Sequence, residues 1–109
     1  MKRGDLVTYA GPGDYGKPRP ALVVQSDRLI AADSVVICLL TGEDDFPPGL
    51  PRIEVLPTAT NGLEKRSMIM VEKLLGVRRT RCGRVIGSVD AGTMRQLDAA
   101  LALVVGLLD

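Results

Sequence analysis

The chain has 109 residues, 46% of them hydrophobic and only 3% aromatic, with a formal net charge of +1 at pH 7. That length suits one domain over residues 1–109, with a core built from Leu, Val, Ile, Ala and Met. Histidine is absent and the two cysteines, Cys38 and Cys82, lie far apart, which excludes histidine-based triads, histidine-assisted RNA cleavage and a zinc framework.

No zinc site is therefore expected. Met1-Lys2-Arg3-Gly4-Asp5 leads straight into alternating residues with no secretory signal, and the longest apolar run, 99–108, is too short to span a bilayer. A reducing cytoplasm and no membrane partner are the expectation. The small net charge hides an uneven distribution. Residues 65–84 hold Lys65, Arg66, Lys73, Arg78, Arg79, Arg81 and Arg84 against the single acid Glu72. Local clustering of this kind matters more to a polyanion than the total charge.

In chain order, residues 5–9 read as a first strand. Residues 10–17 form a loop with three glycines and a proline. Residues 19–26 read as a second strand, led by Lys17-Pro18-Arg19-Pro20. Each proline biases the residue before it toward extended geometry, so Arg19 is mounted stiffly at the rim of a sheet. Residues 27–30 suit one helical turn. Val35-Val36-Ile37-Cys38-Leu39-Leu40 is apolar on both faces and reads as a central third strand, ending at Thr41-Gly42. An acidic loop follows, with Glu43, Asp44 and Asp45. Residues 52–56 alternate as a strand, and Asn61-Gly62 marks a turn in the next connection. Residues 67–71, 73–80 and 84–88 read as three further short strands, the last two around a turn at 81–83. Asp90 suits a helix N-cap, followed by Met94, Leu97, Leu101, Val104, Val105 and Leu108 at helical spacing. A second stripe, Ala99, Ala102, Leu103 and Leu107, is more than one small domain easily buries, and is expected against a partner subunit. The pattern predicts a mainly β (α+β) domain: a small, strongly bent antiparallel sheet or barrel with a C-terminal helix.

If strands two and three are antiparallel neighbours, Arg19 at the start of one meets Thr41 at the end of the other. A guanidinium fork and a hydroxyl there could grip one phosphate and stabilise the charge that builds on phosphorus during attack. Thr41 equally suits a simple strand-end cap.

The ordered set Gly4-Asp5-Leu6-Val7, Gly16-Lys17-Pro18-Arg19-Pro20-Ala21-Leu22-Val23-Val24-Gln25-Ser26 and Val36-Ile37-Cys38-Leu39-Leu40-Thr41 resembles the MazF/PemK toxin family of toxin–antitoxin systems. Asn61-Gly62-Leu63 with Lys65 and Ser67, then Arg84-Val85-Ile86-Gly87 with Met94, Leu97, Ala100 and Leu101, extend the resemblance over nearly the whole chain. The resemblance implies an SH3-like small antiparallel barrel, a homodimer, and a metal-independent endoribonuclease acting on single-stranded RNA. It places Arg19 and Thr41 in the catalytic positions and implies an acidic, partly disordered antitoxin as protein partner. Asp14 matches an acidic position of some relatives and is a candidate proton acceptor, since an arginine keeps its proton. Tyr15 suits base stacking, and Lys17, Lys73, Arg78, Arg79, Arg81 and Arg84 suit a groove tracking the RNA backbone; each of these also reads as an ordinary surface side chain. Glu72 stands where the family often has aspartate, and the acidic 42–51 loop would repel RNA unless it swings away or reads bases. The alternatives are a non-enzymatic poison of the same fold that binds a protein such as DNA gyrase, and a regulatory barrel with no chemistry.

Overall fold

The computed structural model describes residues 1–12 and 17–109. Six strands, β1 (Asp5–Tyr9), β2 (Arg19–Val23), β3 (Ser34–Thr41), β4 (Ile53–Val55), β5 (Ser67–Arg78) and β6 (Cys82–Ser88), are followed by one helix, α1 (Ala91–Val104). They form a single antiparallel sheet in the order β4-β5-β3-β2-β1-β6. Single 3-10 turns at Asp27–Leu29 and Arg79–Arg81 join β2 to β3 and β5 to β6.

The expected mainly β architecture with a terminal helix is present, and the ladder does not close on itself: β4 and β6 remain its two edges. The connection between β4 and β5 spans the gap instead. The Ser88 amide donates to the Thr60 carbonyl at 3.0 Å. The contact is so close that a Cβ at Gly87 would lie 2.5 Å from the Thr60 oxygen, and one at Gly62 would lie 2.1 Å from the Ile86 oxygen. Gly62 also has φ +69°, a region open mainly to glycine. The buried Asn61 fixes this connection. Its side-chain oxygen accepts from the amides of Thr58 and Leu63, and its amide nitrogen donates to the Leu56 carbonyl.

Both faces of the central strands are covered, which is why β3 lacks polar alternation. Leu6, Leu22, Cys38, Leu40, Ile69 and Val71 pack on one side, beneath the fully buried Leu97 of α1. Val7, Tyr9, Ala21, Val23, Val35, Ile37 and Val77 pack on the other. The sheet curls strongly enough to do this because β5 is irregular. Between the pairs Cys38↔Leu74 and Leu40↔Ile69, two steps along β3 are matched by five along β5. The two strands expected over 67–71 and 73–80 are thus one continuous, arched strand, and the turn expected at 81–83 lies at Arg79–Arg81.

The Asp90 carboxylate caps α1 by accepting from the Thr93 amide at 2.7 Å. The helix stops earlier than the apolar spacing suggests. Gly106, at φ +79°, donates its amide to the Leu103 carbonyl, and Leu107 donates to Ala102, a Schellman ending. Leu107 and Leu108 therefore lie beyond the helix, 76% and 70% exposed.

Candidate nucleic-acid interface

Of the cation and the hydroxyl singled out from the sequence, Arg19 opens β2 and Thr41 closes β3. β2 and β3 pair antiparallel through Ala21↔Leu39, Leu22↔Cys38 and Val23↔Ile37. Continued by two places, that register sets Arg19 across from Thr41. On its other side Arg19 pairs with Tyr9 of β1. Directly opposed residues share a face of an antiparallel sheet, so Tyr9 and Arg19 belong to one row. Tyr9 is buried, and its ring lies so close over Gly11 that a Cβ there would be 2.9 Å from the phenolic oxygen. Arg19 is exposed and Thr41 half-buried. The Thr41 hydroxyl accepts from the Glu43 amide at 3.2 Å, so it does cap the strand end. Accepting one bond leaves its O–H to donate.

Arg19 also lines a cleft of about 430 Å³, together with Thr8, Lys65, Ser67 and Arg84. Among the described residues three cations face it against one acid, Glu64. Lys65 belongs to the basic 65–84 run but, like Thr8, receives no individual site role from the sequence. Lys65 reaches the cleft only because the 56–66 connection folds onto β6, a contact that strand periodicity does not reveal.

The remaining basic residues do not form one stripe. Lys17 is exposed just before Pro18, and Lys73 is exposed on the arch of β5. The Arg81 carbonyl accepts from the Ala10 amide, which places Arg81 at the end of β1 beside the Arg19 rim. Arg78 pairs with Ser34, at the far end of β3 from Thr41. Arg79 is engaged in holding the β2–β3 connection, its guanidinium donating to the Ala32 carbonyl at 2.6 Å and the Leu29 carbonyl at 3.3 Å. The rim thus gathers Arg19, Arg81 and Arg84, with Lys17 near in sequence, whereas Arg78 and Arg79 stand elsewhere. Asp14 and Tyr15 lie outside the described residues.

The acidic loop after Thr41 is clamped to the sheet by cations. Arg66 binds both Asp44 of the loop and Glu54 of β4. Arg52 pairs with Glu72 at 2.8 Å, and its guanidinium carbon lies 4.7 Å from the centre of the Phe46 ring. Burial pushes the Glu72 carboxyl up, but the hydrogen bonds and charge of Arg52 outweigh it and hold the group below the usual range. The same carboxylate adds to burial in pushing the Cys38 thiol to about 11. Burial also raises Cys82, although Arg79 opposes it. Neither cysteine is a ready thiolate nucleophile at neutral pH.

A family model described as PemK-like, MazF-like toxin of type II toxin–antitoxin system matches residues 2–105. A protein of Mycolicibacterium smegmatis named probable endoribonuclease MazF is 38% identical over 108 residues, covering 98% of each chain. Endoribonuclease MazF9 of Mycobacterium tuberculosis is 29% identical over 111 residues, 94% of each. Among solved structures, an endoribonuclease in complex with its cognate antitoxin from a mycobacterial species superposes with a TM-score of 0.78 at 21% identity, covering 98% of this chain and 96% of that one. A MazE–MazF complex of Deinococcus radiodurans gives 0.76 at 18% identity, covering 97% and 95%. The alternative of a gyrase-binding poison gains no support from these matches.

Proposed function

Because this chain belongs to the PemK-like, MazF-like toxins of type II toxin–antitoxin systems, we propose that it is an endoribonuclease that cuts single-stranded RNA, with Arg19 and Thr41 as its catalytic pair. The observation that supports this reading is the antiparallel β2–β3 pairing, whose last recorded pair, Ala21↔Leu39, leaves Arg19 two residues further along one strand and Thr41 two residues further along the other. In the reaction a ribose 2′-oxygen attacks the adjacent phosphorus and the 5′-oxygen leaves. The products are a 2′,3′-cyclic phosphate and a 5′-hydroxyl, with the 2′-OH proton going to a base and another proton reaching the leaving oxygen. Arg19 supplies a planar fork to the non-bridging oxygens, and the Thr41 O–H supplies one more donor as negative charge grows there. Asp14 is the acid that the sequence offers as the base, since a guanidinium keeps its proton. Lys17, Arg81 and Arg84 track the flanking strand, and Tyr15 offers a face for a base.

The chain acts as one domain over residues 1–109 in the cytoplasm. It pairs as a homodimer and is restrained by a cognate antitoxin whose acidic tail covers the rim. Among the described residues no helix is long and apolar enough to cross a membrane.

Incubating the purified protein with end-labelled single-stranded RNA in EDTA tests the reading. Discrete fragments with cyclic-phosphate 3′ ends and hydroxyl 5′ ends are expected from the wild type, and only a small residual fraction of that cutting from Arg19→Ala. Intact RNA with the wild type, or equal cutting by both proteins, would overturn it.

A further inference from the structure

Lys65 has no role in the reaction above, yet two independent contacts bring its ammonium to the reacting rim. It lines the same cleft as Arg19 and Arg84. It also lies against the backbone just past Thr41: a Cβ on Gly42 would meet both Cε and Nζ of Lys65 at 3.1 Å. The ammonium therefore stands between the cleft and the end of β3, in space that glycine at position 42 leaves open. Its neighbour Arg66 is occupied by Glu54 and Asp44, whereas among the described residues the Lys65 ammonium enters no ion pair.

We propose that Lys65 is a further RNA-phosphate ligand, holding the phosphate next to the one gripped by Arg19 and Thr41; this rests on the endoribonuclease reading. A phosphodiester carries one negative charge, and the Arg19 fork already matches it. A second cation a short reach away is better satisfied by the next phosphate along the strand. Lysine presents a point charge with no planar geometry, so it fixes the strand's register and reads no base.

The test is equilibrium binding of a random-sequence single strand with 2′-O-methyl riboses, which has no 2′-OH to attack, over a range of KCl concentrations. The slope of log affinity against log salt is expected to fall by about 0.7 in Lys65→Met, the share of one phosphate contact on a single strand. Lys65→Arg should keep the wild-type slope. Lys2→Met removes the same charge near a different cleft and should leave the slope unchanged. A wild-type slope in Lys65→Met, or an equal fall in Lys2→Met, overturns the assignment of Lys65 while leaving the catalytic pair in place. A wild type that neither binds this strand nor cuts RNA overturns both readings.

Discussion

In the proposed reaction Arg19 and Thr41 divide one task by the shape of their donors. A guanidinium presents two parallel N–H groups to two oxygens of a phosphate, and an ammonium of equal charge cannot. Arg19→Lys is therefore expected to keep most of the RNA affinity and lose most of the turnover. Single-turnover rates at saturating protein, set beside binding of an uncleavable strand, separate the two effects. Thr41→Ala removes a donor aimed at developing charge and should slow cleavage by about 10²-fold or more. It also removes the oxygen that caps the Glu43 amide. Thr41→Ser keeps both functions and should recover most of the rate. If Thr41→Ala cuts at the wild-type rate, the hydroxyl is a cap and nothing more.

At the level of elements, paired cations tie the acidic loop to the sheet. The Arg52–Glu72 pair is largely buried, at 8% and 18% side-chain exposure. Glu72 titrates below its ordinary value when folded, so its stabilising effect is full above the unfolded glutamate pKa of about 4.3 and is lost as pH falls through the lower folded value. Thermal melts across that acid range should show the gap between wild type and Glu72→Gln closing as pH falls; a constant gap would mean that the carboxylate charge plays no part. Leu97 is the one fully buried side chain of α1, and Leu97→Ala should cost about 2–5 kcal/mol in denaturant unfolding. A cost near zero would place the helix outside the core.

The parts of the fold that are local in sequence are the parts that the sequence reveals. β2 and β3 are consecutive, so their antiparallel pairing, which brings the strand ends that carry Arg19 and Thr41 toward one edge, follows from two apolar runs joined by a short connection. Asp90 announces α1 because a cap acts within one turn. What depends on distant contacts is hidden. Glu72 and Lys73 interrupt the apolar pattern of β5 and make it read as two strands; the arch against β3 and the Arg52 pair hold it as one. Lys65 reads as part of a polar connection until Gly87 and Gly62 let that connection lie on β6. The apolar spacing runs past Val104, but Gly106 turns the chain in a way that hydrophobicity does not record.

Across the whole molecule, a net charge of +1 is compatible with RNA binding because the cations are concentrated. Arg19, Lys65 and Arg84 face one cleft, with Arg81 nearby, so the apparent affinity for RNA should fall steeply with added salt. Leu103, Val105, Leu107 and Leu108 leave an apolar surface at the end of α1 uncovered within one chain. Such a surface fits the proposed homodimer. Sedimentation is expected to give the mass of two chains, and the mass of one chain at high concentration would contradict it.

A double-mutant cycle reads the proposed partnership of Arg19 and Thr41. Cleavage of one mapped RNA site is measured for wild type, Arg19→Ala, Thr41→Ala and the double variant, each with its fold verified by melting. Two groups acting on one phosphate should be strongly non-additive, the double variant being little slower than Arg19→Ala alone. Independent effects that multiply in the double variant, or wild-type cutting by either single variant, would contradict the shared phosphate.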